Sequence, residues 1–153
     1  MEEDRIQKAV ELFKSGYNCS QSVVAAFADM YGFTQEQALR MSASFGGGIG
    51  RMRETCGAAC GMFLVAGLET GATEATDREG KAANYAVVQE LAAEFKKRNG
   101  SLICAELLGL KKKEPVSTIP EERTAQYYSK RPCAKMVEEA ARIWVEYLEK
   151  HPK

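Results

Sequence analysis

Histidine is nearly absent from this chain: His151, among the last three residues, is the only one. That lone imidazole reads as a solvated tail residue of little help to a metal site, and no Ser/His/Asp arrangement is legible. A Cys/His nucleophile pair would rest on that single terminal residue. Net charge is missing too, since 21 basic residues balance 21 acidic ones. No overall field therefore recruits nucleic acid or an anionic membrane surface. No apolar run approaches the length of a bilayer span, and the opening MEEDRIQK lacks an apolar signal core. Neither direct membrane insertion nor secretion is expected, and the expected location is cytoplasmic. The glycine run at Phe45–Gly50 lacks both a Gly-Lys-Ser/Thr ending and a preceding strand, which argues against a nucleotide loop. No segment shows the sustained alternation of a half-buried strand.

What remains is helical periodicity almost throughout, so the expected fold is all-α: a single-domain bundle of about six to seven helices over residues 1–153. Ile6, Ala9, Val10 and Phe13 share one face of a first helix from Glu3 to Ser15, stopped by Gly16. A second begins at Cys19 and Ser20 and ends at Gly32. Thr34 with Gln37 fits a capping box for a third, from Gln35 to about Ser44. The fourth is expected to start between Arg53 and Cys56 and to run to Leu68, with Gly57, Ala58 and Gly61 allowing close approach of another backbone. The fifth, about Asp77 to Arg98, carries Ala82, Tyr85, Val88, Leu91, Ala92 and Phe95 as a continuous stripe. Ser101 can cap a helix containing Cys104, Leu107 and Leu108. Lys111 to Pro120 reads as a loop and Glu121 to Tyr128 as a short helical turn. Pro132 suits the first position of a terminal helix with Cys133, Met136, Val137, Ala140, Trp144 and Tyr147 on one face.

Five cysteines are the chemical signal. In a reducing cytosol they are free thiols, metal ligands or redox groups rather than a disulfide framework. Cys19, Cys56, Cys104 and Cys133 each fall in the first turn or so of a different predicted helix. There, unpaired backbone N–H groups and the helix dipole favour a thiolate. Were those helix ends to converge, Arg51, Arg53 and Arg131 would add to the effect and a redox or metal site would result. Cys56, with the glycine run and two arginines beside it, is the expected reactive thiolate. Cys19, Cys104 and Cys133 are then resolving thiols or co-ligands. Cys56 and Cys60 are four apart and share a helical face, but that spacing is not Cys-x-x-Cys, so metal binding is only weakly signalled. Four thiolates from distant segments could still take zinc or an iron–sulfur cluster. The competing account treats the cysteines as inert apolar filler in an interaction protein, a homo-oligomer packed through its small-residue helix.

The run C-G-A-x-x-G at Cys56–Gly61, GYNCSQSV around Cys19, CAELLG at Cys104 and the carboxy-terminal Cys133 together resemble the C_GCAxxG_C_C family. The segments are spread over most of the chain and keep the family's order. The resemblance implies a small bacterial or archaeal protein, regarded as redox-active, with Cys19, Cys56, Cys104 and Cys133 as its matched cysteines. It also implies an unknown redox partner, linked to a transporter system because such genes often lie nearby. Cys60 falls on a variable position of the motif and is an addition, open to service as accessory ligand, resolving thiol or packing.

Overall fold

The apolar spacing of the first segment is that of a helix. In the computed structural model, which describes residues 3–110 and 117–153, it forms α1 (Glu3–Lys14) with Ile6, Ala9, Val10 and Phe13 buried together. Asn18 then caps α2 (Cys19–Phe27): its side chain accepts from the Gln21 N–H while the Gln21 side chain accepts from the Asn18 N–H, which satisfies two otherwise orphaned donors. From Ser20 onward α2 is buried on almost every side, by serine, valine and alanine with Phe27 at its end. A 3-10 turn over Ala28–Tyr31 tightens its end, and Gly32 closes it at φ 81°. Thr34 and Gln37 make the same reciprocal cap on α3 (Gln35–Ser42), which runs into a second 3-10 turn, Ala43–Phe45. The helices expected to reach Tyr31 and Ser44 are thus each shorter by one tight turn.

Next come α4 (Gly57–Thr70), α5 (Arg78–Asn99), α6 (Cys104–Leu108), α7 (Ala125–Lys130) and α8 (Cys133–Lys150). The fold is all-α: among the described residues there is no strand, and a lone antiparallel bridge joins Thr55 to Ile103. No helix is long and apolar enough to cross a membrane among the described residues. Among the described residues six helices have more than six residues, and α6 and α7 are shorter.

Buried α2 and α4 lie along one another at the centre, α1 and α8 pack on α2, and α8 also meets α4 and α5. Gly61 sets the spacing of the central pair. A Cβ there would lie 2.9 Å from the Ser20 carbonyl oxygen and 3.0 Å from the Val23 Cβ. Phe13, Phe27, Met62, Phe95 and Trp144 are fully buried between these helices. Each such side chain contributes roughly 1.5–3 kcal/mol through loss of contact with water. Arg98 of α5 ties to Glu146 of α8 at 2.6 Å at the rim.

Further expectations change. The helix at Cys104 has Ile103 rather than Ser101 at its cap position. Helix α4 starts at Gly57, later than expected, because the chain before it passes through left-handed conformations that no right-handed helix can contain. The stripe on α5 is only partly used: Leu91 and Phe95 are buried, whereas Ala82 is exposed and Tyr85 is 61% exposed. From Val87 onward α5 packs on the core, and its first turns do not. The helical turn expected from Glu121 starts instead at Ala125, where the Thr124 side chain accepts from the Tyr127 N–H. Of the loop expected over Lys111–Pro120, residues 111–116 lie outside the described residues.

Candidate functional site

Between α3 and α4 the chain makes a tight left-handed loop. Gly47, Gly48, Ile49, Gly50 and Arg51 all have positive φ, and Arg53 follows at 63°. For Ile49, Arg51 and Arg53 this conformation costs about 1–2 kcal/mol each. Gly50 N–H to Ser44 C=O at 2.7 Å and Glu54 N–H to Gly48 C=O at 2.9 Å hold the loop closed. The glycine at position 48 has a second, steric reason. A Cβ there would lie 2.6 Å from the Cβ of Cys104. Gly57 likewise lets α4 start against this loop, where a Cβ would lie 2.8 Å from the Phe45 carbonyl oxygen.

The loop delivers the chain to the bridge. Cys56 N–H donates to Leu102 C=O and Cys104 N–H to Glu54 C=O, both at 2.6 Å. Thr55 and Ile103 are the bridged pair, so extended-chain alternation turns Cys56 and Cys104 to the same face. That face lines a cavity of about 300 Å³, and Cys19 and Cys133 line it as well. Cys19, Cys104 and Cys133 are the first residues of α2, α6 and α8, and Cys56 is the cap residue of α4. Cys60, one turn further along α4, is outside the lining and points its thiol to the Thr55 carbonyl at 3.7 Å. All five cysteines are free thiols. Among the described residues, no three Cys, His, Asp or Glu side chains are arranged to hold a metal ion.

The thiols differ sharply in acidity. Burial pushes Cys56 up to about 12, although the Ala59 and Ala58 N–H groups of α4 pull the other way. The helix-start effect therefore operates at Cys56, but desolvation outweighs it at a residue only 5% exposed. This reverses the sequence expectation of a low thiol pKa at Cys56. Burial also raises Cys60, to about 11, and Cys104, where a guanidinium N–H of Arg53 at 3.7 Å partly offsets it.

Cys133 alone among them goes down, to about 7. The foremost cause is a hydrogen bond from Cys19; Arg131, a hydrogen bond from Tyr127 and Arg123 act in the same direction against burial. Cys19 is raised correspondingly, first by that shared bond and then by burial. The two form one coupled pair in which Cys133 ionises first, because the cations and the phenol stand on its side. Both remain partly accessible.

Tyr127 and Arg123 were not singled out from the sequence. Arg123 donates to the carbonyls of Phe13 and Tyr17 at 2.9 and 3.0 Å and lies over the Phe13 ring, 4.3 Å from its centroid. It thus ties the segment before α7 to the end of α1. Arg131 pairs with Glu121, which Arg51 also reaches at 3.7 Å. Helical spacing could not have found them as a set: only Tyr127 lies in α7, while Arg123 precedes it and Arg131 is its extended cap residue.

Fold and site together define a helical protein with four thiols around one cavity. The chain belongs to the family described as "Putative redox-active protein (C_GCAxxG_C_C)", whose model matches residues 17–147, a span that contains every cavity cysteine. No curated protein and no solved structure matches it.

Proposed function

We propose that this protein carries out thiol–disulfide exchange, with Cys133 as nucleophile and Cys19 as resolving thiol. The observation that carries the reading is the coupled pair: one thiol is pulled down to about 7 by the other and by the groups around it, and both are accessible from the cavity. A thiolate near neutral pH is the attacking species in such exchange, and a pKa close to ambient pH gives the best balance of ionised fraction and nucleophilicity.

The Cys133 thiolate attacks one sulfur of an incoming disulfide, forming a mixed disulfide and expelling the other half as a thiolate. Cys19, on losing its proton, attacks the Cys133 sulfur and expels the remaining half. The incoming disulfide becomes two thiols and the protein pair becomes a disulfide; the protons released by Cys19 and Cys133 go to the departing thiolates. Cys56 and Cys104 stay protonated at neutral pH and form the rest of the cavity wall. A reducing cytoplasm, the location we infer, would return the pair to dithiol form. The partner supplying that reduction is a small thiol or a dithiol protein. Inert filler would be sealed on all sides, which Cys60 nearly is and Cys133 is not.

The test is mass mapping of the reduced chain after brief treatment with bis-hydroxyethyl disulfide and acid quenching. A Cys19–Cys133 disulfide is expected, and Cys19→Ser should stall as a mixed disulfide on Cys133. An unmodified Cys133, or modification spread evenly over five cysteines, would overturn the proposal.

A further inference from the structure

Thiol exchange alone does not account for the charge around the cavity. Among the described residues four arginines line it, Arg51, Arg53, Arg123 and Arg131, against the single carboxylate of Glu121. Ionisation of Cys133 adds one more negative charge and still leaves the lining positive. The four are not equally engaged. Arg51 and Arg131 share Glu121, and Arg123 is held by two carbonyls of the chain. Among the described residues no carboxylate pairs with Arg53, whose guanidinium donates to the Cys104 sulfur. Confined behind low-dielectric walls, such an imbalance attracts anions far more than the same charges would in open water.

The volume narrows the occupant. About 300 Å³ lies at the lower end of small-molecule sites, which run from roughly 300 to 1,000 Å³. Phe13, Leu107 and Met136 supply apolar wall beside the cations, suited to short carbon chains ending in charged groups. We infer that the cavity takes a small disulfide bearing carboxylates, with a carboxylate against Arg53 and a disulfide sulfur facing Cys133. This rests on the exchange chemistry above and names its substrate class. The same cations would stabilise the negative charge shared by three sulfurs as the first bond breaks, and the leaving half departs as a carboxylate-bearing thiolate.

The experiment compares three disulfides with the full-length reduced chain: dithiodiglycolate (anionic), bis-hydroxyethyl disulfide (neutral) and cystamine (cationic). Each rate of Cys133 oxidation is divided by the rate with a free reference thiol, which removes differences between leaving groups. The anionic disulfide should exceed the cationic one by roughly tenfold or more at low salt. That ratio should shrink as salt is raised and fall several-fold in Arg53→Gln. Should the variant fold poorly by circular dichroism, the charge series on the unaltered chain decides by itself. Equal normalised rates, or cystamine the fastest, would overturn the substrate class while leaving the exchange chemistry standing. Failure of all three to oxidise Cys133 would remove the exchange chemistry and the substrate class together.

Discussion

Replacing Cys19 by Ala removes the first cause of the low Cys133 pKa without touching Arg131, Tyr127 or Arg123. With that hydrogen bond gone, burial opposes the remaining groups and the thiol should return from about 7 toward its ordinary 9.0. The shift corresponds to about 2.7 kcal/mol of lost preference for the thiolate. At pH 7 the ionised fraction falls from roughly half to about 1%, a drop of about fiftyfold. The more basic thiolate is also the better nucleophile, by about eightfold for two units at a Brønsted coefficient near 0.45. The net loss in alkylation rate at pH 7 is therefore only about sixfold, and near pH 9.5 the variant should react faster than the unaltered chain. The assay is the pH profile of iodoacetamide labelling under reducing, oxygen-free conditions, with Cys133 identified as the labelled site by peptide mapping. A crossing of the two profiles is the signature. Profiles that inflect at the same pH within a few tenths of a unit would refute the reasoning, as would label on Cys56 in preference to Cys133.

Two further outcomes test the scaffold. Gly61→Ala should lower stability by about 1–3 kcal/mol in urea unfolding, because its Cβ would meet the Ser20 carbonyl oxygen and the Val23 Cβ across the central helix pair; an unchanged midpoint would show that α2 and α4 can separate freely. For Cys60, the folded pKa of about 11 lies above the ordinary 9.0, so the folded state holds this proton longer than the unfolded state. Its contribution is full below pH 9 and is lost as pH rises toward 11. Cys60→Ser should therefore flatten the decline of stability over that interval by about 1 kcal/mol per pH unit, and an identical slope in the two proteins would contradict the burial argument.

Helical class, the capping boxes at Asn18 and Thr34, and the placing of cysteines at helix starts follow from local chemistry. A cap needs only residues three apart, and a stripe needs only a regular period. Such features can be read from a dozen residues without knowing what packs on them. The α5 stripe exposes the limit of that reading, since period alone does not say whether a face has a neighbour, and Tyr85 has none to bury it. The acidity of the thiols lies further still from sequence. Cys56 and Cys133 share the local features that favour a thiolate: a helix start and nearby arginine. They end on opposite sides of the ordinary value because burial prevails at Cys56, whereas at Cys133 a hydrogen bond from Cys19, remote in the chain, outweighs it together with Arg131, Tyr127 and Arg123.

The amino-acid order by itself determined an all-α chain, the family, and which four thiols stand at helix beginnings. Only the tertiary structure decided that those beginnings surround one cavity, that Cys60 is turned away from it, and that Cys19 and Cys133 meet. Hydrogen bonding between remote thiols and the removal of water from a buried one are properties of assembled surfaces, and no window of sequence contains both partners.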